Sequence, residues 1–249
     1  MSTRINKFFT EQGYCSRREA DKLISENRVK INGKIAVLGD QVEPQDKITL
    51  DDKEISFNPQ KVYIMYNKPR GVTCTTEKKI PGNIIDAVNH PLRVFPIGRL
   101  DKDSSGLIFL TNDGDIVNQI LRAQNGHEKE YLVSVHRTFD DLFLSKLREG
   151  VDIGDHLTLP CRVERLNPYA FSVILTEGKN RQIRRMCEAL NYHVKTLKRV
   201  RIMNILLGDL KEGTWQEIPP ISLGLLKKTI DSKSSLQKTS SLTIESFEE

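Results

Sequence analysis

The sequence predicts an α+β protein built from two domains. Its first part carries two short helical patterns followed by short alternating strands, whereas the later chain mixes longer apolar strands with helices and shows no repeat. A chain of 249 residues can bury two modest cores without a disulfide or metal. We expect a first domain at 1–58, a linker at 59–61, a larger domain at 62–225 with a mixed, mainly antiparallel sheet, and a partly disordered tail at 226–249.

Cysteine usage and hydropathy indicate a soluble, intracellular protein. The four cysteines are widely separated and include no Cys-x-x-Cys pair, so the sequence shows no zinc or redox motif. The first residues lack the apolar segment of a signal peptide, and no apolar run reaches the roughly 18 to 20 residues of a membrane-spanning helix. We therefore expect a cytoplasmic protein without a metal site and without a membrane partner.

Positive charge is concentrated in two segments of the chain. Eight basic residues face one acidic residue between positions 179 and 201, and eight face four between positions 4 and 34. The whole chain has a net charge of only +5, so these segments hold more than the total excess. Two basic segments indicate a polyanionic partner, and nucleic acid is the usual one.

Two helices are predicted at the start of the first domain. Apolar residues over 5–9 have helical spacing, and a second helix begins at Ser16, where Glu19 completes a Ser-x-x-Glu capping box. Arg17 and Arg18 fall in the first turn of the second helix, where the helix dipole favours acids. A bound phosphate would offset that electrostatic cost, although a solvated helix face is the simpler alternative.

A hairpin pattern completes the first domain. Val29–Lys34 alternates around an Asn-Gly pair, which is a strong signal for a two-residue β-turn. In chain order, Arg4–Lys7, Cys15–Ala20 and Val29–Gly33 resemble the αL-type RNA-binding domain of ribosomal small-subunit protein four. The resemblance implies two helices on a small sheet, with a basic helix face on RNA. The RNA-binding residues that it implies are Arg4, Lys7, Arg17 and Arg18.

A polar turn between two apolar runs is the best candidate for chemistry in the larger domain. Val94–Ile97 and Gly106–Leu110 favour strands, and the turn between them carries Arg99 and Asp101. A rigid scaffold on either side would present the carboxylate to a substrate. Aspartates in turns more often bond to the local backbone, so the turn alone leaves both interpretations open.

Two later segments accompany this turn. Tyr131 lies in an alternating strand pattern two residues after Lys129, and the loop at 177–180 leads into a basic helix that begins at Arg181. A tyrosine in a strand is usually a core residue and a basic helix start is usually solvated. Each segment is therefore weak evidence alone, and their occurrence together favours a site that acts on RNA.

The three segments together resemble the motifs of the RsuA/RluB/RluE/RluF family of rRNA pseudouridine synthases. Gly98–Gly114 is similar to the motif around the nucleophilic aspartate, Glu128–Tyr131 to the tyrosine motif and Gly178–Met186 to the third motif. Within that family, Asn83–His90 and His127–Tyr131 resemble the RluF type, whose members act on 23S rRNA. The resemblance covers both domains in the order of the family.

The resemblance implies site-specific isomerisation of uridine to pseudouridine in structured RNA. The expected partner is 23S rRNA or a pre-ribosomal particle, with tRNA as a further possibility, and the expected enzyme is a monomer. The reaction breaks the N-glycosidic bond, turns the base and rejoins it through C5 without redox change. A carboxylate nucleophile suffices for this chemistry, so no cofactor is expected.

The resemblance also assigns roles within the site. It makes Asp101 the nucleophile, places Tyr131 against the flipped base and gives Arg184 as the ion-pair partner of Asp101. The sequence leaves open whether Asp101 attacks C6, attacks C1′ or only assists glycal formation. Further RNA contacts are expected from Arg99, Lys129, Asn180, Arg181, Gln182 and Arg185.

Two other functions remain compatible with parts of the sequence. Residues 101–103 read Asp-Lys-Asp and match the Asp-x-Asp of magnesium-dependent aspartyl phosphatases, but Pro96 and Gly98 interrupt the strand that should precede that motif. A non-catalytic RNA-binding or ribosome-assembly protein is the second alternative. Replacement of Asp101, Tyr131 or Arg184 would favour it, and all three are present.

Overall fold

The computed structural model describes residues 2–55, 61–121 and 126–245, so most of the linker expected at 59–61 lies outside the described residues. The chain divides into two compact units. The first unit comprises Met1–Val62, His90–Phe95 and Thr111–Gly114. The second unit comprises Tyr63–Asn89, Pro96–Leu110 and Asp115–Glu249. The first unit therefore includes two short segments that the sequence analysis placed in the larger domain.

The first unit contains two short helices and two small sheets. In chain order its elements are β1 (Thr3–Arg4), α1 (Ile5–Glu11), α2 (Arg17–Ser25), β2 (Val29–Ile31), β3 (Lys34–Ile35), β4 (Gln41–Val42), β5 (Ile48–Leu50) and β6 (Lys53–Ile55). Four strands form a sheet in the order β3-β2-β5-β6, and β1 pairs antiparallel with β4. The two helices and the hairpin strands β2 and β3 follow one another in the order that the sequence predicts, whereas β1 and β6 are not predicted.

Local sequence signals explain how these elements begin and turn. The Ser16 hydroxyl accepts a hydrogen bond from the Glu19 backbone N–H at 3.2 Å, and the Glu19 carboxylate accepts one from the Ser16 backbone at 2.8 Å. This is the capping box that the sequence predicts at the start of α2. Asn32 and Gly33 both have positive φ, at 50° and 81°, as a type I′ hairpin turn requires.

The rest of the described chain forms one large sheet with helices. Its elements are β7 (Tyr63–Lys68), α3 (Ile84–Val88), β8 (Phe95–Ile97), β9 (Ser105–Thr111), α4 (Gly114–Leu121), β10 (Lys129–Val135), α5 (Asp141–Glu149), β11 (Arg162–Asn167), β12 (Ala170–Leu175), α6 (Gln182–Ala189), β13 (Val194–Ile202), β14 (Ile205–Leu206), β15 (Trp215–Glu217) and α7 (Pro220–Glu245). The strand order is β11-β12-β10-β13-β9-β7-β15, with β14 beside β13 and β8 beside β9.

The pairing of these strands confirms the predicted mixed, mainly antiparallel sheet. Strand β10 is antiparallel to both β12 and β13, and β15 is antiparallel to β7. Strand β13 is parallel to β9, which gives the sheet its mixed character. Because β9 follows the Asp101 turn and β10 carries Tyr131, the order β10-β13-β9 brings these two segments to the middle of the sheet.

Strands β9 and β13 approach each other closely at Gly106. This residue has a φ of +104°, and a Cβ built on it would lie 2.2 Å from the carbonyl oxygen of Arg199. Any other residue would force the strands apart, because backbone atoms cannot move aside as a flexible side chain can. The glycine therefore fixes the spacing of the two strands.

The C-terminal region differs from the sequence-based expectation. Helix α7 spans Pro220–Glu245, where the sequence analysis expected a tail from residue 226. Leu226 and Ile230 are each only 1% exposed and belong to the core that also contains Phe109 of β9. Their spacing of four residues places them on one helix face. The sequence suggested a disordered tail because most residues around these two are polar.

Candidate active site

Asp101 lies on a fixed connection between β8 and β9. The backbone N–H of Leu100 donates to the Cys74 sulfur at 3.4 Å, and the backbone N–H of Ser104 donates to the Asp101 carbonyl at 3.0 Å. The Asp101 side chain is 29% exposed. The connection thus holds a partly open carboxylate next to the start of β9.

Two guanidinium groups flank this carboxylate. Arg181 Nη1 lies 3.7 Å from Asp101 Oδ2, and Arg184 Nε lies 3.8 Å from the same oxygen. The two arginines differ in environment, because 43% of the Arg181 side chain is exposed but only 8% of that of Arg184. Solvent therefore screens the charge of Arg181, whereas the charge of Arg184 acts from a region of lower dielectric constant.

Arg184 is also bound to the connection that carries Asp101. Its Nη2 donates to the Asp103 carbonyl at 3.1 Å and to the Ser104 hydroxyl at 3.2 Å. Its Nε has no hydrogen-bond partner among the described residues, since 3.8 Å is an ion-pair distance. Burial lowers the pKa of Arg184, and the neighbouring Arg181 charge adds to this effect. The ion pair with Asp101 that the family resemblance implies is present in the structure.

A buried carboxylate organises the loop before these arginines. Glu177 accepts a hydrogen bond from Gln182 Nε2 at 2.7 Å and another from the Leu159 backbone at 3.0 Å. Gln182 in turn accepts from the Lys179 backbone at 3.0 Å. Arg181 then adopts a left-handed conformation with φ 49° and serves as the N-cap position of α6.

Two of the expected RNA contacts have partners within the protein. Gln182 is only 4% exposed and bonds to Glu177, so it shapes the loop and is not positioned to meet RNA. Arg185 forms an ion pair with Asp155 and donates to the Ile153 carbonyl. The partners of Arg185 lie about 30 residues before α6, whereas Glu177 is only five residues from Gln182 and its burial is what the sequence did not show.

Three other expected RNA contacts are accessible to different degrees. Arg99 and Asn180 are exposed on their loops. Lys129 is half-buried, and its Nζ donates to the His127 carbonyl at 3.2 Å. Burial lowers the pKa of Lys129 from its ordinary value of 10.5 to about 8, with a contribution from the positive charge of Arg199. Lys129 is therefore a cation whose charge changes near neutral pH.

Tyr131 lies in the sheet with its side chain largely buried, at 9% exposure. It pairs in register with Val173 on β12 and with Arg199 on β13. Residues directly opposite each other on antiparallel strands share one face of the sheet. Tyr131 and Arg199 are therefore cross-strand neighbours.

Two buried cations of this unit are not predicted from the sequence. Lys68 is fully buried at the end of β7, where its Nζ donates to the carbonyls of Pro69 and Val72 at 2.9 Å each. Burial lowers its pKa, and the charge of Asp101 opposes that change. Arg199 is 4% exposed and donates from Nε to the Leu107 carbonyl at 2.7 Å. The position of Lys68 at the end of an apolar strand could have indicated its burial. Arg199 gave no such indication, because it lies among the many basic residues of positions 179–201.

Four basic residues of the first unit were expected to contact RNA, and they differ in exposure and pairing. Arg4, Arg17 and Arg18 are exposed, and Lys7 forms an ion pair with Glu11 at 3.4 Å. The two arginines at the start of α2 occupy the first turn, where the sequence predicts them.

The described residues offer no sign of a metal centre or membrane segment. They contain no group of three or more histidine, cysteine, aspartate or glutamate side chains that could hold a metal ion. Among the same residues, no helix is both long enough and apolar enough to cross a membrane.

Known proteins similar to this chain identify its family. A family model for RNA pseudouridylate synthases matches residues 62–189, and a model for the S4 domain matches residues 3–48. The dual-specificity RNA pseudouridine synthase RluF of Escherichia coli K12 is 49% identical over 236 residues, which cover 94% of this chain and 81% of that protein. The chain belongs to the RNA pseudouridine synthase family.

More distant pseudouridine synthases agree with this assignment. An uncharacterised RNA pseudouridine synthase of Aquifex aeolicus is 37% identical, with 94% of this chain and 97% of that protein covered. The ribosomal large subunit pseudouridine synthase B of Bacillus subtilis is 32% identical, with 92% and 97% covered. A crystal structure of a pseudouridylate synthase superposes with a TM-score of 0.64 at 29% identity, covering 92% of this chain and 99% of that one.

Membership of the pseudouridine synthase family confirms the predicted enzyme class and the predicted S4-type first domain. The family assignment removes the aspartyl-phosphatase alternative. The fold agrees, because Asp101 lies in the connection between two neighbouring strands of a mainly antiparallel sheet. The enzyme therefore combines an S4 domain with a synthase domain.

Proposed function

We propose that this synthase converts a specific uridine of 23S rRNA to pseudouridine, with Asp101 as the nucleophile. Arg184 holds and charge-balances Asp101, and Tyr131 lies against the flipped base. The observation that carries this proposal is the pairing of Asp101 Oδ2 with Arg184 and Arg181 at 3.8 and 3.7 Å. A partly exposed carboxylate beside a buried guanidinium is suited to react with a base that enters from solvent.

The electrostatics of the pair favour an ionised nucleophile. An opposite charge within about 4 to 6 Å stabilises the carboxylate form of an aspartate. Arg184 acts from a buried position, so water screens it less than it screens Arg181. Its bonds to Asp103 and Ser104 keep the guanidinium on the Asp101 connection while RNA binds.

The chemistry conserves atoms without a cofactor. Asp101 bonds to C1′ as the bond between C1′ and N1 breaks, and the electron pair of the broken bond leaves with the base. The base rotates, C5 bonds to C1′ as the bond to the Asp101 carboxylate breaks, C5 loses its proton and N1 gains one. Access to the uridine requires its removal from the base stack, as in other enzymes that act on nucleobases. A monomer suffices, because Asp101, Tyr131 and Arg184 all belong to one unit of one chain.

The choice of 23S rRNA follows the named relatives and the family resemblance. The Bacillus subtilis relative is a large-subunit enzyme by name, and the Escherichia coli relative is called a dual-specificity RNA enzyme. The second name indicates more than one RNA target without specifying them, so tRNA, which the sequence analysis allows, stays the alternative substrate. Exposed cations on the S4 domain (Arg4, Arg17 and Arg18) would contact phosphates, and the enzyme would act on rRNA or pre-ribosomal particles in the cytoplasm.

Pseudouridine mapping tests the substrate. Mapping of rRNA and tRNA from cells with and without the gene should reveal one or a few sites that depend on this protein in 23S rRNA. Purified protein should restore those sites on rRNA from the deficient cells. Sites confined to tRNA would contradict the 23S assignment while leaving the enzyme class intact.

Substitution of Asp101 tests the nucleophile. Asp101→Asn should lower pseudouridine formation by at least about 10⁴-fold, because the amide cannot replace the carboxylate, while RNA affinity stays within a few-fold. Asp103→Asn is the matched control, since that side chain is exposed and the hydrogen bond to Arg184 is accepted by the backbone carbonyl, which the substitution keeps. Turnover retained by Asp101→Asn would refute the assignment.

A further inference from the structure

Arg199 is a buried cation whose hydrogen bonds are incomplete. The residue is 4% exposed, and its Nε donates to the Leu107 carbonyl at 2.7 Å. Its Nη2 has no hydrogen-bond partner among the residues that the structure describes. Leaving a buried charged donor unpaired is costly, so such a group indicates an acceptor that arrives with the substrate.

The sheet places Arg199 directly beside the proposed catalytic groups. On one side it is the cross-strand partner of Tyr131, and on the other it is the parallel-strand partner of Gly106. The absence of a side chain at Gly106 lets β9 lie against the backbone of Arg199. Strand β9 begins four residues after Asp101, so Arg199 lies between the strand of the tyrosine and the strand of the nucleophile.

Two further cations surround this position. The pKa of Lys129 is lowered by burial and by the charge of Arg199, and the pKa of Lys68 is lowered by burial. Asp101 and Arg199 both influence the pKa of Lys68, so Arg199 lies within electrostatic range of each of the two lysines. The hydrogen bonds of Lys68 and Lys129 go to neutral backbone carbonyls. Arg199 therefore lies within electrostatic range of two other largely buried cations, and neither of them forms a hydrogen bond to a carboxylate among the described residues.

We propose that Arg199 contacts the uracil ring and stabilises the negative charge that the base carries once its glycosidic bond is broken. This inference rests on the proposed function and adds a residue to it. A uracil carbonyl oxygen is the ligand that we assign, because Arg199 is 4% exposed and is the cross-strand neighbour of Tyr131, against which the base lies. Nη2 is covered by protein in this structure, so the inserted base has to displace the groups that cover it.

The charge to be stabilised follows from the electron count of the reaction. When the bond between C1′ and N1 breaks, the base retains the electron pair and becomes an anion delocalised over its ring and two carbonyl oxygens. The anion is consumed when C5 bonds to C1′. A fixed cation in a buried site stabilises such a transient charge more than water does, because no solvent reorganisation is needed.

A substrate with a more stable leaving anion tests this role. We compare single-turnover cleavage of the glycosidic bond in two transcripts of the target RNA that differ only in carrying uridine or 5-fluorouridine at the modified position. Fluorine withdraws electrons, so the fluorinated base leaves as an anion with less help from the protein. Loss of the intact nucleoside after nuclease digestion measures the rate for both transcripts.

Replacement of Arg199 should affect the two transcripts differently. Arg199→Met should lower the rate for uridine by about 10²- to 10³-fold and the rate for 5-fluorouridine by less than about tenfold, with RNA affinity within a few-fold. Arg199→Lys keeps the charge but loses Nη2, and it should lie between wild type and Arg199→Met. Arg201→Met is the control on the same strand. Arg201 is paired with Glu128 and Glu130, and its replacement should leave the ratio of the two rates unchanged.

Equal losses on both transcripts would overturn the proposal, as would a loss explained by weaker RNA binding. The ratio is taken within each variant, so a reduced fraction of folded protein does not alter it. If Arg199→Met does not fold, Arg199→Lys serves in its place: a larger loss on uridine than on 5-fluorouridine supports the proposal, and equal losses overturn it. Failure of the proposed function is distinguishable, because wild-type protein would then cleave neither transcript and Asp101→Asn would be no worse.

Discussion

Positive charge is placed differently in the two units of this synthase. In the S4 domain, Arg4, Arg17 and Arg18 project into solvent. In the synthase domain, Arg184 and Arg199 are only 7% and 4% exposed. Exposed cations attract phosphates over a distance set by the ionic strength, whereas buried cations act strongly on charge that comes within a few ångströms. The comparison predicts that the exposed set holds RNA and that the buried set acts on the base.

The two arginines beside Asp101 give the sharpest form of this comparison. Arg184→Met should lower kcat by about 10²- to 10³-fold, because it removes a buried cation from the proposed nucleophile. Arg181→Met removes a cation at the same distance, but that side chain is 43% exposed and its charge is screened. It should cost about tenfold or less. Single-turnover kinetics of both variants check this difference.

Equal losses in the two variants would break the link between burial and catalytic effect. Thermal unfolding of both proteins is the necessary control, since Arg184 also bonds to Asp103 and Ser104. A loss confined to KM in Arg184→Met would mean that the buried guanidinium binds RNA and does not act on Asp101.

Lys129 is half-buried and thus intermediate between the exposed and the buried cations. Its contribution to activity should depend on pH. Its pKa of about 8 means that the cation is lost as the pH rises through 8, so activity should fall by about tenfold between pH 7 and 9. Lys129→Arg keeps the charge over this range and should remove that fall. The pH dependence of single-turnover rates with both proteins is the measurement.

Stability should change in the opposite direction over that range. The pKa of Lys129 is lowered in the folded protein from its ordinary value of 10.5, so the unfolded chain binds this proton more tightly between pH 8 and 10.5. The contribution of Lys129 to the free energy of unfolding therefore rises with pH. If activity falls with pH while this contribution to stability rises, the fall is caused by loss of the Lys129 charge and not by unfolding.

The exposed cations of the S4 domain should have the smallest effect on chemistry. Replacing Arg17 and Arg18 with alanine should weaken RNA binding several-fold and flatten the slope of log affinity against log salt by about 2, with single-turnover kcat unchanged. Filter binding across a salt series measures the slope. Arg28→Ala is the matched control, because Arg28 is already paired with Asp51 and Glu26. A reduced kcat with an unchanged slope would contradict the comparison.

Local signals made much of the fold predictable. The capping box of Ser16 and Glu19 marks the start of α2, and the Asn-Gly pair at 32 and 33 marks the hairpin. Both depend on residues adjacent in the chain, which a sequence displays directly. The pairing of Asp101 with Arg184 came from family resemblance, since no local pattern connects residues so far apart.

Contacts made through space explain what the sequence did not show. Gln182 and Arg185 occupy a basic motif and were expected to bind RNA, yet Glu177 and Asp155 are their partners. The burial of Arg199 depends on the order β10-β13-β9, which no periodicity reveals. The same holds for the C-terminal helix, whose buried residues are recognisable only once β9 provides the surface on which they pack.

The glycine at position 106 restricts how this enzyme can be altered. Because no side chain fits there, the distance between β9, the strand that follows Asp101, and β13, the strand of Arg199, is set by backbone contact. Engineering of substrate preference must therefore leave residue 106 untouched. The exposed loop at Lys179 and Asn180 is the better place for variation, since a library there would change the RNA contact proposed for Asn180 while Asp101 and Arg199 keep their spacing.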